Sequence, residues 1–252
     1  METDRPAQEW RPPPARPRLA RGDLHVWRAQ LSRLAPHASL LAEILSPDER
    51  ERADRFHFTK DRLHFILSRA ALRTILGLYL ESNPKSVRFA HNSFGKPLLV
   101  GEVASGPLHF NASNSHELAL YAFSAEQEVG VDVEYIRPEF ASEEIAGRFF
   151  SRRETAALLG LAPELRARAF FDCWTRKEAY IKAKGQGLSY PLDKFAVSLA
   201  PGEPAALLDD EAAPEETSRW LLAELHPAHG YAAALAVRAR DVKLQLFDLP
   251  HA

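Results

Sequence analysis

Two carboxylates lie two residues apart in a segment that the sequence predicts to be a β-strand, Gly130-Val131-Asp132-Val133-Glu134. Because successive side chains of a strand point to opposite faces, Asp132 and Glu134 share one face and the valines share the other. Their Cα atoms then lie about 6.6–7 Å apart, which lets one hard cation contact both carboxylates. The pair therefore indicates a Mg²⁺ site, or else only the solvated face of an edge strand.

A second group of residues that could do chemistry follows a helical spacing. Trp174, Glu178 and Lys182 are each separated by four positions, so they lie along one face of a helix. Glu178 offers a third carboxylate for a metal ion or a general base, and Lys182 offers a cation for a phosphate. The same spacing is also typical of a surface salt bridge beside a packed tryptophan, and both interpretations stay open.

Two upstream segments carry polar side chains in or near predicted turns. The segment Asn92-Ser93-Phe94-Gly95-Lys96-Pro97 is typical of a turn that holds a lysine at a fixed place, although a simple loop has the same composition. The segment Phe110-Asn111-Ala112-Ser113-Asn114-Ser115-His116 gathers hydroxyl, amide and imidazole groups directly before an apolar strand. Such groups can donate to phosphates, and they are equally common as turn residues.

The elements that must position these groups alternate between helices and strands. Ser46-Pro47-Asp48-Glu49 and Ser151-Arg152-Arg153-Glu154 both have the capping-box pattern of a helix start. Each precedes a short helix, a long helix and several strands, which predicts two similar α+β halves that meet near residues 125–130. The long helices are predicted over about 61–80 and 164–184, a loop over 201–216, and strands over 24–31, 108–112, 118–123, 129–135, 195–199, 220–225, 231–237 and 242–248.

Composition excludes several classes of protein. The chain has 252 residues, of which 46% are hydrophobic and 26% charged, and this is typical of an ordinary globular protein. Its net charge of −2 argues against a dedicated nucleic-acid binder. The N-terminal residues lack an apolar signal core, and the longest uncharged apolar stretch, residues 230–237, is too short to cross a bilayer. We therefore expect a cytoplasmic protein that binds neither membrane nor nucleic acid.

The ends of the chain and the single cysteine complete the expected organisation. Prolines and arginines dominate residues 1–20, which predicts a disordered tail. The two halves are then expected over 21–127 and 128–252. Cys173 is the one cysteine of the sequence, so an internal disulfide is impossible and we expect this residue to pack inside its helix.

Taken together, these segments resemble the 4′-phosphopantetheinyl transferases, specifically the larger type that activates nonribosomal peptide and polyketide synthases. Residues 130–134 match the family pattern G-(I/V)-D-(I/V/L)-E, and 174–182 match W-x-x-K-E-x-x-x-K. Further matches lie at 46–56, 95–97, 149–154 and 187–195, so the resemblance runs from about residue 24 to 237. It implies two α+β subdomains related by a pseudo-two-fold axis, an active site at their interface, and a monomeric enzyme.

The resemblance also implies roles for individual residues. Asp132, Glu134 and Glu178 would hold Mg²⁺ against the pyrophosphate of coenzyme A, and Asp132, Glu178 and Lys182 would be the catalytic residues. Glu178, or a water molecule that it holds, is the candidate general base. Contacts to coenzyme A are implied for a larger set, namely Arg52, Arg69, Lys96, Pro97, Ser113, Asn114, Ser115, His116, Lys177 and Lys182.

Two positions depart from the family pattern. Asn114 stands where the family usually has a histidine that lies near the coenzyme A phosphates, and His116 follows two residues later. Either Asn114 donates a substitute hydrogen bond or His116 reaches the site through a shifted turn. In the first helix Glu49 occupies a position that is often basic in the family, while Arg50 and Arg52 keep their charge.

The expected reaction is transfer of the 4′-phosphopantetheine arm of coenzyme A to a serine of an apo acyl- or peptidyl-carrier protein, with release of adenosine 3′,5′-bisphosphate. One alternative is a non-catalytic module that binds coenzyme A or a nucleotide. Another is a Mg²⁺-dependent phosphohydrolase with water as its nucleophile. The sequence has no GxxxxGK[ST] segment, so an ordinary P-loop enzyme is not expected.

Overall fold

The computed structural model describes residues 8–100 and 106–250, apart from the side chain of Leu188. Within these ranges the helices are α1 (Leu31–Leu34), α2 (Ala38–Ala42), α3 (Pro47–Asp54), α4 (Thr59–Tyr79), α5 (Glu143–Phe149), α6 (Arg152–Leu159) and α7 (Pro163–Lys184). The strands are β1 (Asp23–Gln30), β2 (Phe89–His91), β3 (Pro97–Leu99), β4 (His109–Ser115), β5 (Leu118–Ser124), β6 (Val129–Tyr135), β7 (Phe195–Val197), β8 (Leu207–Asp210), β9 (Leu221–Leu225), β10 (Tyr231–Val237) and β11 (Lys243–Asp248). This mixture confirms the predicted α+β class.

Two sheets form the centre of the fold. The first has the strand order β11-β1-β5-β4 and the second has the order β6-β10-β9. Strands β1 and β11 pair in parallel, and the other pairs in these two sheets are antiparallel. Two small hairpins, β2-β3 and β7-β8, lie outside them.

Alternation along the strands gives each sheet two apolar faces, so the molecule is built in four layers. Odd-numbered residues of β5, such as Tyr121 and Phe123, pack against α4, while Leu120 and Ala122 face the second sheet. On β10 the even-numbered alanines pack against α7, and Leu235 and its neighbours face the first sheet. The order of layers is therefore α4, first sheet, second sheet, α7.

Most of the predicted regular elements are confirmed within a few residues at their ends. The long helices α4 and α7 and the strands β5, β6 and β10 lie where the sequence predicts them. The predicted loop over 201–216 is wrong in part, because it contains β8 and a 3₁₀ turn at Pro214–Arg219. The end of β8 is buried: Asp210 accepts hydrogen bonds from the hydroxyls of Tyr180 and Tyr190, partners that local sequence does not reveal.

The N-terminal segment differs from its prediction. Trp10 is half-buried and its Nε1 donates to the carbonyl of His226 at 3.1 Å, and Arg11 makes two backbone hydrogen bonds with β11, at 3.0 and 2.8 Å. These contacts offset the entropy cost of ordering a proline-rich chain. The prediction of a disordered tail is therefore wrong for residues 8–20, and residues 1–7 of that tail lie outside the described residues.

The predicted division of the chain into two halves, 21–127 and 128–252, does not hold for the C-terminal strand. Strand β11 comes from the second half of the sequence, but it pairs with β1 in the first sheet, with Val26 opposite Leu246. A parallel partner leaves no hairpin signal, because the two strands are distant in sequence. The two sheets are therefore interleaved rather than separated at residue 128.

No helix in the described ranges is long and apolar enough to span a membrane. Cys173 is fully buried in α7, as the sequence predicts, and burial raises the pKa of its thiol.

Candidate active site

Strand β6 and helix α7 bring the residues of the two main motifs together. The Lys182 ammonium lies 2.5 Å from Asp132 Oδ1, and Asp132 is buried while Lys182 is partly exposed. Glu178 precedes Lys182 by one turn of α7, and the negative charge of Glu178 helps to raise the pKa of the Lys182 ammonium. Asp132 and Lys182, which are 50 residues apart in the sequence, are therefore in direct contact, and the two motifs lie side by side.

A glycine allows α7 to approach β6 closely. A Cβ added to Gly130 would lie 2.0 Å from the carbonyl oxygen of Ala179 and 2.4 Å from the nitrogen of Ala183. These are backbone atoms of the helix and cannot move aside. The glycine that begins the G-V-D-V-E motif therefore sets the distance between the carboxylates of β6 and the side chains of α7.

The carboxylates of the site repel one another in a poorly solvated place. Burial raises the pKa of Glu178 to about 7, with additional contributions from the charges of Asp132 and Glu134. Burial and then the charge of Asp132 also raise the pKa of Glu134. Burial opposes the charge of Lys182, but Asp132 and the two glutamates together raise the pKa of its ammonium. The site thus holds an excess of negative charge that Lys182 balances only in part.

The donor set fits a hard dication in its chemistry. Asp132 Oδ2 is buried and has no hydrogen-bond partner, an arrangement that leaves a lone pair free for a cation. Within the described residues, however, no three Asp, Glu, His or Cys side chains are already gathered closely enough to hold a metal ion. The set Asp132, Glu134 and Glu178 therefore stays a prediction, with Lys182 at present on the other oxygen of Asp132.

Strand β4 holds the two carboxylates of β6 through serine hydroxyls. Ser113 Oγ donates to Asp132 Oδ1 at 2.7 Å, and Ser115 Oγ donates to Glu134 Oε2 at 2.8 Å. The Lys182 ammonium also donates to Ser113 Oγ, at 3.1 Å. The predicted coenzyme ligands Ser113 and Ser115 therefore already spend their single hydroxyl protons inside the protein.

The predicted lysine-bearing turn is present as the loop of the β2-β3 hairpin. Asn92 Oδ1 accepts from the backbone N–H of Phe94 and of Lys96, both at 2.9 Å, and Gly95 has a φ of 85° that favours glycine. Asn92 Nδ2 donates to the carbonyl of Gly185, at the end of α7. The hairpin loop is thus fixed to the helix that carries Glu178.

The ammonium of Lys96 is held by an acid that the sequence analysis did not identify. This ammonium pairs with Glu128, whose carboxylate also accepts a hydrogen bond from His109 at 3.0 Å. The Lys96 side chain is almost fully buried, whereas that of Glu128 is half-exposed. The hydrogen bond from His109 and then that from Lys96 lower the pKa of Glu128 to about 2. Glu128 directly precedes β6, so Lys96 lies at the end of the strand that carries the carboxylates. Pro97, the first residue of β3, fixes the exit of the same loop.

A basic cavity of about 470 Å³ lies at the start of α3, between that helix, α4 and the β2-β3 hairpin. Its lining includes both predicted residues, Arg52 and Arg69, together with four further arginine and lysine side chains, Arg50, Arg73, Lys85 and Arg88, and three acids, Glu43, Asp48 and Glu49. The guanidinium of Arg52 lies 5.2 Å from the ring centre of Phe65, and that of Arg69 lies 5.1 Å from the ring centre of Phe89. Positive charge on an aromatic floor suits a phosphorylated nucleotide.

The structure explains the acid at position 49. Glu49 is buried and closes the capping box of α3, since its Oε2 accepts from the Ser46 N–H at 3.0 Å. The same oxygen accepts from Arg73 Nε at 2.6 Å, and Oε1 lies 3.4 Å from Arg69 Nε. Glu49 therefore organises the arginines of the cavity instead of contacting a phosphate.

The second capping box has the same construction, and it overturns one predicted contact. Glu154 closes the box with Ser151 and binds the Lys177 ammonium through both oxygens, at 2.8 and 2.7 Å. Lys177 also donates to the carbonyl of Phe195 at 2.7 Å and is fully buried. The prediction that Lys177 contacts coenzyme A is therefore wrong, because its three protons are used inside the core.

The remaining predicted residues lie at the end of the β4-β5 hairpin. Asn114 is exposed and, by alternation with the serines, lies on the α4 side of the first sheet. His116 is exposed in the hairpin turn with a φ of 53°, and its ring stacks on that of Tyr135 at 4.5 Å. Trp174 is half-buried against Phe149 and Phe170, so it packs the helix.

Comparison with known proteins agrees with this geometry. One family model, the 4′-phosphopantetheinyl transferase superfamily, matches residues 128–236, and another, the N-terminal region of 4′-phosphopantetheinyl transferase, matches 27–128. The 4′-phosphopantetheinyl transferase HetI of Nostoc sp. (strain PCC 7120) is 41% identical over 228 residues, which cover 90% of this chain and 93% of HetI. The chain therefore belongs to the 4′-phosphopantetheinyl transferase family, which confirms the resemblance and makes it an enzyme.

Two further similarities are more partial. The 4′-phosphopantetheinyl transferase Sfp of Bacillus subtilis (strain 168) is 34% identical over 155 residues, covering 62% of this chain and 66% of Sfp. The crystal structure of Thermotoga maritima holo-[acyl-carrier-protein] synthase aligns with a TM-score of 0.34 and 23% identity, over 45% of this chain and 63% of that one.

Proposed function

We propose that this enzyme transfers the 4′-phosphopantetheine arm of coenzyme A to a serine of an apo carrier protein and releases adenosine 3′,5′-bisphosphate. The observation that carries the proposal is that β6 and α7 place three carboxylates and one ammonium close enough to contact or to influence one another electrostatically. These groups belong to Asp132, Glu134, Glu178 and Lys182. Coenzyme A supplies the pyrophosphate that such a site can hold, and the carrier supplies the hydroxyl nucleophile.

The coenzyme is proposed to lie between the basic cavity and the carboxylates. The β2-β3 hairpin connects the two places, because Phe89 lines the cavity while Lys96 reaches the start of β6. Arg52 and Arg69 would hold the 3′-phosphate end, and Lys96, with Pro97 fixing its loop, would hold the pyrophosphate. Asn114 faces the α4 side, which supports giving it the place of the family histidine in preference to His116.

The proposed metal ligands are Asp132, Glu134 and Glu178, with the unpartnered Asp132 Oδ2 as the supporting observation. A bound Mg²⁺ would supply charge neutralisation and Lewis-acid activation at the pyrophosphate. For this site to fill, the Lys182 ammonium would move from Asp132 to the phosphate oxygens, where it stabilises the charge that develops during transfer.

The group transfer itself is a displacement at the β-phosphorus of coenzyme A. The serine Oγ of the carrier forms the new P–O bond while the bond to the bridging oxygen breaks, and adenosine 3′,5′-bisphosphate leaves with that electron pair. The serine proton goes to Glu178 or to a water molecule that Glu178 holds. A carboxylate that also serves a metal is a weak base, so the water-mediated path is the one we favour.

The decisive experiment incubates the protein with coenzyme A, Mg²⁺ and a panel of apo carrier proteins and measures their intact masses. We expect one phosphopantetheine arm to be added to at least one carrier. Asp132→Ala should abolish the addition, whereas Asp193→Asn, which alters an exposed acid far along the chain, should leave it unchanged. No addition to any carrier by the folded wild-type protein would overturn the proposal.

Two further measurements, made beside the mass experiment, separate the two alternative functions. A non-catalytic module would bind coenzyme A in a calorimeter and yield no modified carrier. A phosphohydrolase would release phosphopantetheine in the absence of a carrier, which chromatography of the small molecules would detect.

We further propose that the enzyme is a monomer built from two subdomains related by a pseudo-two-fold axis. The support is the repeated construction in which a capping-box glutamate binds a cation of the following long helix, Glu49 with Arg73 and Glu154 with Lys177. One chain also supplies β4, β6 and α7 to one site. Light scattering that shows a dimer at working concentration would contradict the monomer.

A further inference from the structure

Strands β4 and β6 are neighbours at the centre of the site, yet they belong to different sheets. Side chains of β4 replace the missing backbone ladder: Asn111 Oδ1 accepts from the Val131 N–H at 2.9 Å, Ser113 Oγ accepts from that of Val133 at 3.4 Å, and Ser115 Oγ accepts from that of Tyr135 at 3.1 Å. These three contacts, which we call the β4 side-chain ladder, join the two sheets at the active site.

The serines of this ladder also act on the carboxylates. Each accepts a hydrogen bond from one backbone N–H of β6 and donates its proton to the carboxylate of the preceding residue, so Ser115 links the Tyr135 N–H to Glu134 Oε2. A hydroxyl has one proton to donate. While Ser115 donates to Glu134, it has none left for a coenzyme phosphate.

We propose that Ser115 is a positioning residue that holds the Glu134 carboxylate in the metal and pyrophosphate site, and that it is not a coenzyme ligand. This inference rests on the proposed function. Partners that orient a ligating carboxylate typically contribute 10–100-fold to metal affinity or activity. Ser113 does the same for Asp132, but it also contacts Lys182, so Ser115 gives the cleaner test.

The ladder contains its own control. Asn111 is buried and accepts from the N–H of Val131, whose preceding residue is Gly130 and carries no side chain, so this contact joins the sheets without orienting a carboxylate. Asn111→Ala and Ser115→Ala therefore both remove one inter-sheet contact, and only the second releases a proposed metal ligand.

The test measures Mn²⁺ binding to the coenzyme-free protein by the paramagnetic resonance of the free ion, together with urea unfolding and steady-state transfer. Ser115→Ala should weaken Mn²⁺ binding about tenfold and lower kcat by a similar factor, with the KM for coenzyme A changed less than twofold. Ser115→Thr, which keeps the hydroxyl, should restore binding to within about threefold of wild type. Asn111→Ala should lower stability and leave Mn²⁺ affinity unchanged.

Two results would overturn the proposal. Equal losses of Mn²⁺ affinity in Ser115→Ala and Asn111→Ala would show a merely structural contact. Weaker coenzyme A binding by Ser115→Ala in metal-free buffer would show that Ser115 is a coenzyme ligand.

If Ser115→Ala does not fold, Ser115→Cys replaces it, because a thiol is a poor hydrogen-bond donor of similar size. Since Mn²⁺ binding needs no carrier, the comparison stays decisive even if no carrier is modified.

Discussion

At the scale of single residues, several acids pair with cations inside the protein, a role that their positions in the sequence do not indicate. Glu49 and Glu154 close capping boxes and hold buried cations, and Glu128 holds the lysine proposed to meet the pyrophosphate. Glu49 and Glu128 lie beside side chains proposed to bind coenzyme A, Arg69 and Lys96, so these cations are already paired before coenzyme binds. Binding of an anion must therefore exchange partners, which has measurable consequences.

Glu128 is expected to compete with coenzyme A for Lys96. Glu128→Gln removes this competition and should tighten coenzyme A binding roughly 2–5-fold in calorimetry, because a half-exposed ion pair contributes less than about 1 kcal/mol. Glu126→Gln, two residues away and paired with Arg21, is the control and should leave the affinity unchanged. Weaker binding by Glu128→Gln would mean that Glu128 positions Lys96 productively.

Glu178 is expected to destabilise the metal-free protein as the pH rises. Its carboxyl pKa is about 7 in the folded protein against 4.5 ordinarily, so between these values the folded state binds more protons than the unfolded state. Stability therefore falls as pH rises through this window. Glu178→Gln should remove this part of the slope and raise the unfolding midpoint at pH 8 by on the order of a few degrees.

Thermal unfolding across pH 4.5–8 checks the Glu178 prediction. Glu139→Gln changes an exposed acid and should keep the wild-type slope. An identical slope in Glu178→Gln and wild type would contradict the raised pKa.

At the scale of elements, the sequence predicts what is locally encoded. The capping boxes, the apolar stripes of α4 and α7 and the alternation of β6 all use signals within about ten residues, so these elements and the shared face of Asp132 and Glu134 follow from the sequence. The hairpin strands β2, β3 and β8 have only three or four residues, too few for a clear alternation of polar and apolar side chains. The place of β11 depends on β1, a partner far along the chain that no local pattern reveals. The predicted coenzyme contact of Lys177 is wrong for the same reason, because its partner Glu154 lies 23 residues away.

The contact between β6 and α7 is predicted to tolerate no side chain at position 130. Gly130→Ala forces the helix away from the strand, because the added Cβ meets backbone atoms at 2.0 and 2.4 Å. We expect a loss of about 2–4 kcal/mol in the free energy of unfolding and a larger loss of transfer activity than of coenzyme A binding. Gly147→Ala, on the exposed side of α5 with nothing within 4 Å of the new Cβ, should be neutral or stabilising. Equal effects of the two substitutions in urea unfolding would contradict this account.

At the scale of the whole molecule, the two sheets pack face to face through apolar side chains, and polar contacts at two edges add to this packing. The β4 side-chain ladder joins them at the active site, and the N-terminal segment joins them at the opposite end of the first sheet's order, where Arg11 pairs with β11 and Trp10 contacts the loop after β9. The site is therefore assembled from elements matched by both family models, with β4 within residues 27–128 and β6 and α7 within residues 128–236.

Trp10 is expected to stabilise the fold through this second contact. Trp10→Ala removes its hydrogen bond to His226 and the stacking of the Arg28 guanidinium, which lies 4.8 Å from the ring centre. We expect a loss of about 1–3 kcal/mol in urea unfolding, because the ring is only half-buried. Arg16→Ala, in an exposed ion pair with Glu81, should change stability by less than about 0.5 kcal/mol. No difference between the two variants would show that the segment rests on the surface without stabilising it.

The burial of Cys173 has a practical consequence. Its thiol is enclosed in α7 and kept protonated, so it is shielded from alkylating reagents in the folded protein. Because the sequence contains no other cysteine, a cysteine introduced on the exposed edge of α6 would be the one thiol open to a maleimide dye. A fluorophore could therefore be attached at one chosen position, on an enzyme whose native residues need no prior removal.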